Sequence, residues 1–359
     1  MHVLLIGSGG RENAIANALV KSKKLSRLFC VPGNPGTENI ATNIDIPLEN
    51  HREILNLCRT NLIGLVIVGP EQPLAAGLTD FLENERIKVF GPSQAAAQLE
   101  SSKAFCKAFC KEFDIPTADY ATFDNRQDAL AYVKKKGAPI VVKQDGLAAG
   151  KGVTVATTVE EANAAINSID TSIVIEEFLE GEEASFFVIC DGSSALPIGT
   201  AQDHKRVGAG ETGPNTGGMG AYSPASIIDA NLTLRVMNEI ITPTINGMAK
   251  RGTPYKGILY AGLMLTKSGP KLIEYNVRFG DPEAQVIIPR LEDDLLVLML
   301  NAANGNLPNN ATKFSNKTAL TVVLAAENYP GRPVIGDTIS GVSVAGLTDD
   351  VTITHAGTT

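Results

Sequence analysis

The stretch Pro139-Ile-Val-Val-Lys-Gln-Asp-Gly-Leu-Ala-Ala-Gly-Lys-Gly152 decides how the chain is read. Ile140 to Val142 is a β-branched apolar run, and Val153-Thr-Val-Ala-Thr-Thr-Val159 after the glycines is again rich in strand formers, so the loop joins strand to strand. A Walker A loop instead needs four residues between its glycines, then Lys and Ser or Thr, then a helix. Here three residues separate Gly146 from Gly150, and Lys151 is followed by Gly152, so that reading fails on spacing, chemistry and context. What remains is a glycine-rich hairpin flanked by Lys143 and Lys151. It either closes its backbone amides over a polyphosphate or is an ordinary turn with a solvated lysine.

Toward the amino end, strand and helix alternate through residues 2–90: Val3–Ile6, a helix over Arg11–Lys21, Leu28–Val31, a helix around Arg52–Arg59, Leu65–Val68, a helix over Leu74–Glu85, and Lys88–Phe90. That order predicts a doubly wound parallel sheet, whose ligands meet the carboxyl ends of the strands. Those ends are Gly7-Ser-Gly-Gly10 and Gly69-Pro-Glu-Gln-Pro73. A dinucleotide fingerprint would need a third glycine at position 12, where the chain has Glu12, and no acidic residue closes a ribose site after the second strand. A phosphate on the amides before the first helix stays open, beside a tight turn and nothing more.

Toward the carboxyl end, a helix over Ser101–Phe113 opens with serines suited to capping and carries Lys103 in its first turn, where the helix dipole disfavours a cation. Either an anion lies nearby or the lysine is solvated. Ile115-Pro116 breaks the helix, and an α/β insertion containing the hairpin follows to about residue 190. It closes on Ile173-Val-Ile-Glu-Glu-Phe-Leu-Glu-Gly-Glu-Glu183, an acidic turn explained by solvation or by ribose hydroxyls. Asp203-His-Lys-Arg206 and Thr212-Gly-Pro-Asn-Thr-Gly-Gly-Met-Gly220 form a long, compositionally mixed loop, the kind that carries function. A helix over Asp229–Lys250 and a strand over Gly257–Leu265 come next. In Ile273-Glu-Tyr-Asn-Val-Arg278, strand alternation puts Glu274, Asn276 and Arg278 on one face, about 7 Å apart. A carboxylate and an amide oxygen suit Mg²⁺, and Arg278 would be a fork for phosphate or carboxylate; a half-solvated strand is the alternative. Asp281-Pro282 predicts a helix start, and Ala319–Leu324 and Val351–Thr354 predict short strands.

A formal net charge of -8 leaves no broad basic footprint, which argues against nucleic acid as a partner. No run of about 18 apolar residues occurs, and the opening strand has no basic leader, so no membrane association and a cytoplasmic location are expected. The five scattered cysteines read as buried thiols, with Cys106 and Cys110 on one helix face but no paired Cys or His motif beside them. Neither a Ser-His-Asp nor a Cys-His arrangement is present.

With hairpin, acidic hinge and Glu/Asn strand in place, the sequence resembles the ATP-grasp superfamily and, more narrowly, the phosphoribosylamine–glycine ligase family of purine synthesis. The resemblance runs over Gly7-Ser-Gly-Gly-Arg-Glu12, Val68-Gly-Pro-Glu71, Lys143–Gly152, Gln202–Arg206, Thr212–Gly220 and Asn276-Val-Arg-Phe-Gly-Asp-Pro-Glu283. The chain departs from the family at Asn13, where His is usual, and family members continue past residue 359. The resemblance implies an N-terminal α/β domain over 1–100 and an ATP-grasp domain over 101–312 with a small lid at about 116–190. Residues 313–359 would begin an incomplete, β-rich C-terminal domain. It implies that Lys103 and Lys143 contact ATP phosphates beneath the hairpin of Gly146, Gly150, Lys151 and Gly152. Glu177, Phe178 and Leu179 would hold adenine, and Glu182 the ribose. Glu274 and Asn276 would bind Mg²⁺ or Mn²⁺. Gly9, Gly10, Glu71, Asp203, Asn215, Thr216, Gly217 and Gly218 would face phosphoribosylamine and glycine, with Arg278 on the transferring phosphate or the glycine carboxylate. Catalytic roles fall to Arg278, Lys143 and Asp203 in a monomeric enzyme that ligates glycine to 5-phosphoribosylamine through glycyl phosphate. Another ATP-grasp carboxylate–amine ligase, or a non-catalytic ATP-binding module, are the alternatives.

Overall fold

The computed structural model describes residues 1–148, 152–210, 212–346 and 348–359. The amino-terminal strands β1 (His2–Gly7), β2 (Arg27–Pro32), β3 (Thr42–Asn43), β4 (Ile63–Val68) and β5 (Val89–Phe90) make one parallel sheet in the order β3-β2-β1-β4-β5. Val3, Leu4, Leu5 and Ile6 are all fully buried, which is why this central strand is apolar without alternation. The chain leaves β1 for β2 on one side and later returns to β4 on the other, so the crevice between their carboxyl ends is where a ligand would enter. Helix α1 (Gly10–Leu19) starts at that crevice. Glu12, the residue that spoils the dinucleotide fingerprint, folds back beneath it: its Oε2 accepts from the Gly9 amide at 2.7 Å. Its carboxylate lies against Gly7 and Gly69, where an added Cβ would sit 2.5 Å from Glu12 Cγ and 2.1 Å from Glu12 Oε1. Where one long helix over Leu74–Glu85 was expected, two short ones form, Glu71–Ala75 and Leu78–Asn84, separated at Gly77 with φ of +82°.

Helix α2 (Lys103–Glu112), capped by Ser102, leads into the insertion. Here β6 (Tyr120–Phe123), α3 (Arg126–Lys136), β7 (Ile140–Gln144), β8 (Val153–Ala156), α4 (Val159–Asn167) and β9 (Ile173–Glu177) build a four-stranded sheet in the order β6-β9-β7-β8. Both helices pack on it around Val133, Ile140, Val142, Ile166 and Ile175, so this small unit has its own core. Its sheet ends at Glu177, short of the expected limit near 190. The next strand, β10 (Glu182–Asp191), is an inner strand of a different, larger sheet.

That larger sheet is antiparallel and adds β11 (Ala195–Asp203), β14 (Gly220–Ser223), β15 (Lys256–Thr266), β16 (Gly269–Asn276) and β17 (Ala319–Val322), in the order β16-β15-β10-β11-β14-β17. Strands β12 (Arg206–Gly208) and β13 (Thr212–Asn215) form a separate ribbon over it. Strand β17 therefore closes this sheet rather than opening a new domain, and residues 351–354 are irregular, not a strand. The expected helix over Asp229–Lys250 is interrupted by a π turn at Met237–Ile241, just before Pro243, which has no amide hydrogen for the regular ladder. Helix α5 (Ala284–Ile287) begins later than Asp281-Pro282 suggested, and α6 (Leu295–Ala303) packs behind β10 and β15. Among the described residues, no helix is long and apolar enough to cross a membrane. All five cysteines are free and buried, as expected.

Candidate active site

The small sheet, the large sheet and the carboxyl ends of β1 and β4 enclose a cleft of about 530 Å³. Its floor comes from strand register. Tyr260 pairs with Asn276 and Gly262 with Glu274, so Tyr260, Glu274 and Asn276 share one face of β15 and β16 and reach the cleft. Glu274 is ionised there. Burial alone would push its carboxyl up, but Lys205, Lys143, Lys103 and Arg278 hold it below the usual carboxylate range.

At the end of the cleft nearest the small sheet, the cation in the first turn of α2 has its anion. Asp145, directly before the hairpin glycines, accepts from the Lys103 and Ala104 amides at 2.6 and 3.2 Å and from Ser102 Oγ at 3.2 Å. Lys103 Nζ donates to the Gly146 carbonyl at 2.9 Å. Burial holds Lys103 below the ordinary lysine range, against the pull of Glu274. Lys143 lies 2.8 Å from Glu176 Oε1, and Lys107 lies 2.9 Å from Glu176 Oε2; all three side chains are nearly inaccessible. Lys107 Nζ also donates to Thr117 Oγ1 at 2.6 Å, and that hydroxyl donates to the Leu272 carbonyl. Sequence reasoning missed Lys107 and Glu176. For Lys107 a signal was there, four residues after Lys103 on one helix face; Glu176 is placed only by strand pairing, which sets it opposite Val141, two residues from Lys143 on the same face.

The hinge residues Glu177, Phe178 and Leu179 line the cleft, and so do Gly146 and Gly152. Gly150 and Lys151 lie outside the described residues. Glu182 is exposed and not part of the wall. Its neighbour Glu183 pairs across to Met264, faces inward, and forms an ion pair with Lys205 at 3.0 Å.

At the opposite end, Arg278 is clamped by the protein. Its Nε donates to Glu71 at 3.1 Å, Nη2 to Glu100 at 2.9 Å and Nη1 to the Phe279 carbonyl at 3.2 Å, which leaves one N–H on each terminal nitrogen for a ligand. Glu100, another residue the sequence did not single out, also accepts from the Val277 amide at 2.7 Å. Burial pushes Glu100 up despite Arg278, whereas Glu71 is held low by the same guanidinium against its own burial. Asp203 and Lys205 stand beside them. Burial raises Asp203, and Lys205 keeps its proton well above the ordinary range, against its burial, because Asp203, Tyr260 and Glu183 surround it.

Asn215, Thr216 and Gly217 line the cleft, while Gly218 lies behind them. Its φ is +127°, and a Cβ there would approach Pro282 Cδ to 2.4 Å, so this glycine lets the loop lie on the turn before α5. Gly9 and Gly10 are also outside the wall, although Arg11 is in it. The amides expected to take a phosphate face the protein's own carboxylates: Gly9 donates to Glu12, and Arg11 donates to Asp281 at 3.1 Å.

Among the described residues, six basic and nine acidic side chains line the cleft. A polyphosphate in such a site is favoured by cations of its own. No group of three or more His, Cys, Asp or Glu is gathered as a metal cage among the described residues. A carboxylate plus an amide oxygen therefore fits a hard divalent cation that takes its other ligands from phosphate and water.

A clasp of this design, with lysines and a glycine hairpin closing from a small sheet onto a carboxylate-bearing antiparallel sheet, defines the ATP-grasp class of enzymes. The solved biotin carboxylase domain of the Hydrogenobacter thermophilus 2-oxoglutarate carboxylase, a MgADP and bicarbonate complex, shares the fold with a TM-score of 0.67 at 17% identity over 89% of this chain and 73% of that one. Residues 1–100 match the family model of the phosphoribosylglycinamide synthetase N domain, and residues 101–284 match that of its ATP-grasp (A) domain. The phosphoribosylamine–glycine ligase of Mesorhizobium japonicum is 54% identical over all of this chain and 86% of its own length. The crystal structure of the Thermotoga maritima phosphoribosylamine–glycine ligase superposes with a TM-score of 0.81 at 32% identity, over 93% of this chain and 83% of that one. The chain belongs to the phosphoribosylamine–glycine ligase family, ATP-dependent ligases of purine biosynthesis.

Proposed function

We propose that this protein joins glycine to 5-phosphoribosylamine at the expense of ATP, giving glycinamide ribonucleotide, ADP and phosphate. The observation that carries the reading is the single cleft lined by Lys103, Lys143, Glu274, Asn276, Asp203 and Arg278. Adenine would lie against Glu177, Phe178 and Leu179, and the triphosphate beneath Gly146 and Gly152 with Lys103 and Lys143 on its oxygens. Gly150 and Lys151, which lie between those glycines in sequence, would meet the same phosphates. Glu274 and Asn276 would hold Mg²⁺ or Mn²⁺, which when bound neutralises charge on the phosphates.

A glycine carboxylate oxygen attacks the γ-phosphorus in line and ADP leaves, yielding glycyl phosphate; Lys143 and Arg278 stabilise charge on the transferring oxygens. The amine then attacks the carbonyl carbon of that acyl phosphate and phosphate departs. Glu71 supports the amine's end of the cleft through Arg278, with Asp203 and the loop of Asn215, Thr216 and Gly217 alongside. Gly9, Gly10 and Gly218 act by shaping these loops, and Glu183 meets the ribose in place of Glu182. We read the protein as a monomer of the cytoplasm, in keeping with its free thiols.

The test is ADP release with each substrate withheld in turn. Turnover is expected only when glycine, phosphoribosylamine, ATP and a divalent cation are all present. Equal ADP release without glycine overturns the reading.

A further inference from the structure

We propose that Glu283 takes the proton released when the amine attacks the acyl phosphate. The inference rests on the reaction proposed above, and it assigns a group to the step that reading leaves without one. When the amide forms, a C–N bond is made, the C–O bond to phosphate breaks, and the nitrogen gives up a proton. Phosphate departs with the electron pair of the broken bond, and the proton needs an acceptor.

Glu283 stands where such an acceptor is needed. It is 3% exposed, yet its carboxylate lines the cleft with Asp203, Lys205 and Glu274. It sits on the turn that joins the two ends of the reaction. Asp281, two residues earlier, accepts from the Arg11 amide at the start of α1, while Glu283 turns the other way, toward the cleft face of β10 and β15. There Ser185 Oγ lies 3.4 Å from Glu283 Oε1 and 2.9 Å from the Tyr260 hydroxyl, so the three groups form one cluster. Tyr260 is the cross-strand partner of Asn276, so Glu283 is two side chains from the floor carboxamide. Gly280 makes room for it: a Cβ there would lie 2.1 Å from Glu283 Oε2.

The charges around it explain why this carboxylate, among several, can accept a proton and hand it on. Glu71 and Glu100 are paired with Arg278, Glu176 with two lysines and Glu183 with Lys205. Among the described residues Glu283 has no ion pair of its own. Asp203 and Glu274 also lack one among the described residues, but Lys205 pulls on both toward the charged form; Glu283 faces Asp203 on β11, Tyr260 on β15, Ser185 on β10 and Arg278 after β16, with Lys205 more weakly felt. Burial, then the negative charge of Asp203, push Glu283 up to about 7, where a base works near neutral pH.

Glu283→Gln keeps the shape and the donors' partner oxygen but cannot take a proton. In the full chain, two nucleophiles should be compared at saturating glycine and ATP: phosphoribosylamine, and hydroxylamine, whose low basicity makes base assistance unimportant. With phosphoribosylamine, amide formation is expected to fall by about 10²- to 10⁴-fold, while glycyl hydroxamate formation changes little. The acid limb of the wild-type pH–rate profile near 7 should vanish in the variant. Equal losses with both nucleophiles, a retained acid limb, or near-normal amide formation each overturn the proposal. A wild-type protein that makes neither product with glycine would instead sink the reaction assigned above, so the two failures are distinguishable. Circular dichroism of Glu283→Gln at pH 6 controls for folding.

Discussion

Glu176→Gln tests the buried bridge under the phosphate-facing lysines. The carboxylate holds Lys143 at 2.8 Å on one oxygen and Lys107 at 2.9 Å on the other, and none of the three side chains is more than 5% exposed. The amide is the same size, so packing is preserved and the change is one of charge. Two ammonium groups then lose their paired carboxylate, Lys143 keeping only the more distant Glu274, and removing one partner of a buried pair destabilises by about 3–5 kcal/mol. An independent bound agrees: an unpaired lysine can escape by releasing its proton, which from an ordinary value near 10.4 costs about 4.6 kcal/mol at pH 7. The same escape costs only about 1.9 kcal/mol at pH 9, so the deficit of the variant should shrink as pH rises. Urea unfolding followed by circular dichroism reads this directly, which is convenient because the chain has no tryptophan. ATP with a divalent cation should recover part of the loss at pH 7, since phosphate would supply the anion Lys143 has lost. A deficit under about 1 kcal/mol, or one that does not change between pH 7 and 9, would refute the argument.

Arg278→Ala should abolish glycine-dependent ADP release and also destabilise by about 3–5 kcal/mol, because Glu100 is left buried without its partner; the double variant with Glu100→Gln should regain much of that stability in urea and none of the activity. Glu283 carries a pH signature in stability opposite to its effect on rate. Its folded value, about 7, is above its ordinary value of 4.5, so its contribution is present below 4.5 and lost as pH rises through 7. Glu283→Gln should therefore gain on the wild type by about 3 kcal/mol at pH 8 and not at pH 4.5, measured by urea midpoints. Gly218→Ala, forced into φ of +127° against Pro282, should cost about 1–3 kcal/mol and raise KM for the amine substrate more than for ATP. Chelation by EDTA should stop ADP release, with Mg²⁺ or Mn²⁺ restoring it; Glu274→Ala should stay inactive at any concentration of either ion.

What could be read from the sequence was whatever alternation and chain order control. The parallel order of β1 to β5 follows from apolar runs separated by helices, and Glu274 and Asn276 share a face because strands have a period of two. Glu12, the residue at the third glycine's place, turns its side chain back against Gly7 and Gly69. Glu182 shows the limit: adjacent carboxylates face opposite sides of a strand, and only the pairing of Glu183 with Met264 says which one looks inward. Glu100, Glu176 and Glu283 were hidden for a related reason. Each acts on a residue from another element, and no local pattern records that Glu100 would meet Arg278 or that Glu283 would lie beside Ser185 and Tyr260. The lysine misplaced at the start of α2 did signal an anion, but the anion is Asp145 of the hairpin's own strand end, which joins the lid to the helix.

The division of charge along the cleft bears on how three differently charged substrates find their places. At the lid end Lys103, Lys107 and Lys143 outnumber Glu176 and Glu177, whereas Glu183, Asp203, Glu274, Asp281 and Glu283 crowd the other beside the Arg278-paired Glu71 and Glu100, relieved by Lys205, Arg278 and Arg11. A triphosphate is drawn to the first end and repelled at its tail by Glu274 until a divalent cation lies between them. An amine is drawn to the second, where Arg11 lines the wall while its guanidinium is held by Glu12 at 2.5 Å and by the Phe279 carbonyl at 3.2 Å. Glycine is a zwitterion, so it fits the boundary, with its carboxylate toward the two N–H groups that Arg278 keeps free and its ammonium toward the acids. That boundary is where phosphate must be transferred and then displaced. Neutralising only one end, as Lys143→Met or Glu283→Gln would, should therefore impair one half-reaction and spare binding at the other, which a uniformly basic pocket could not do.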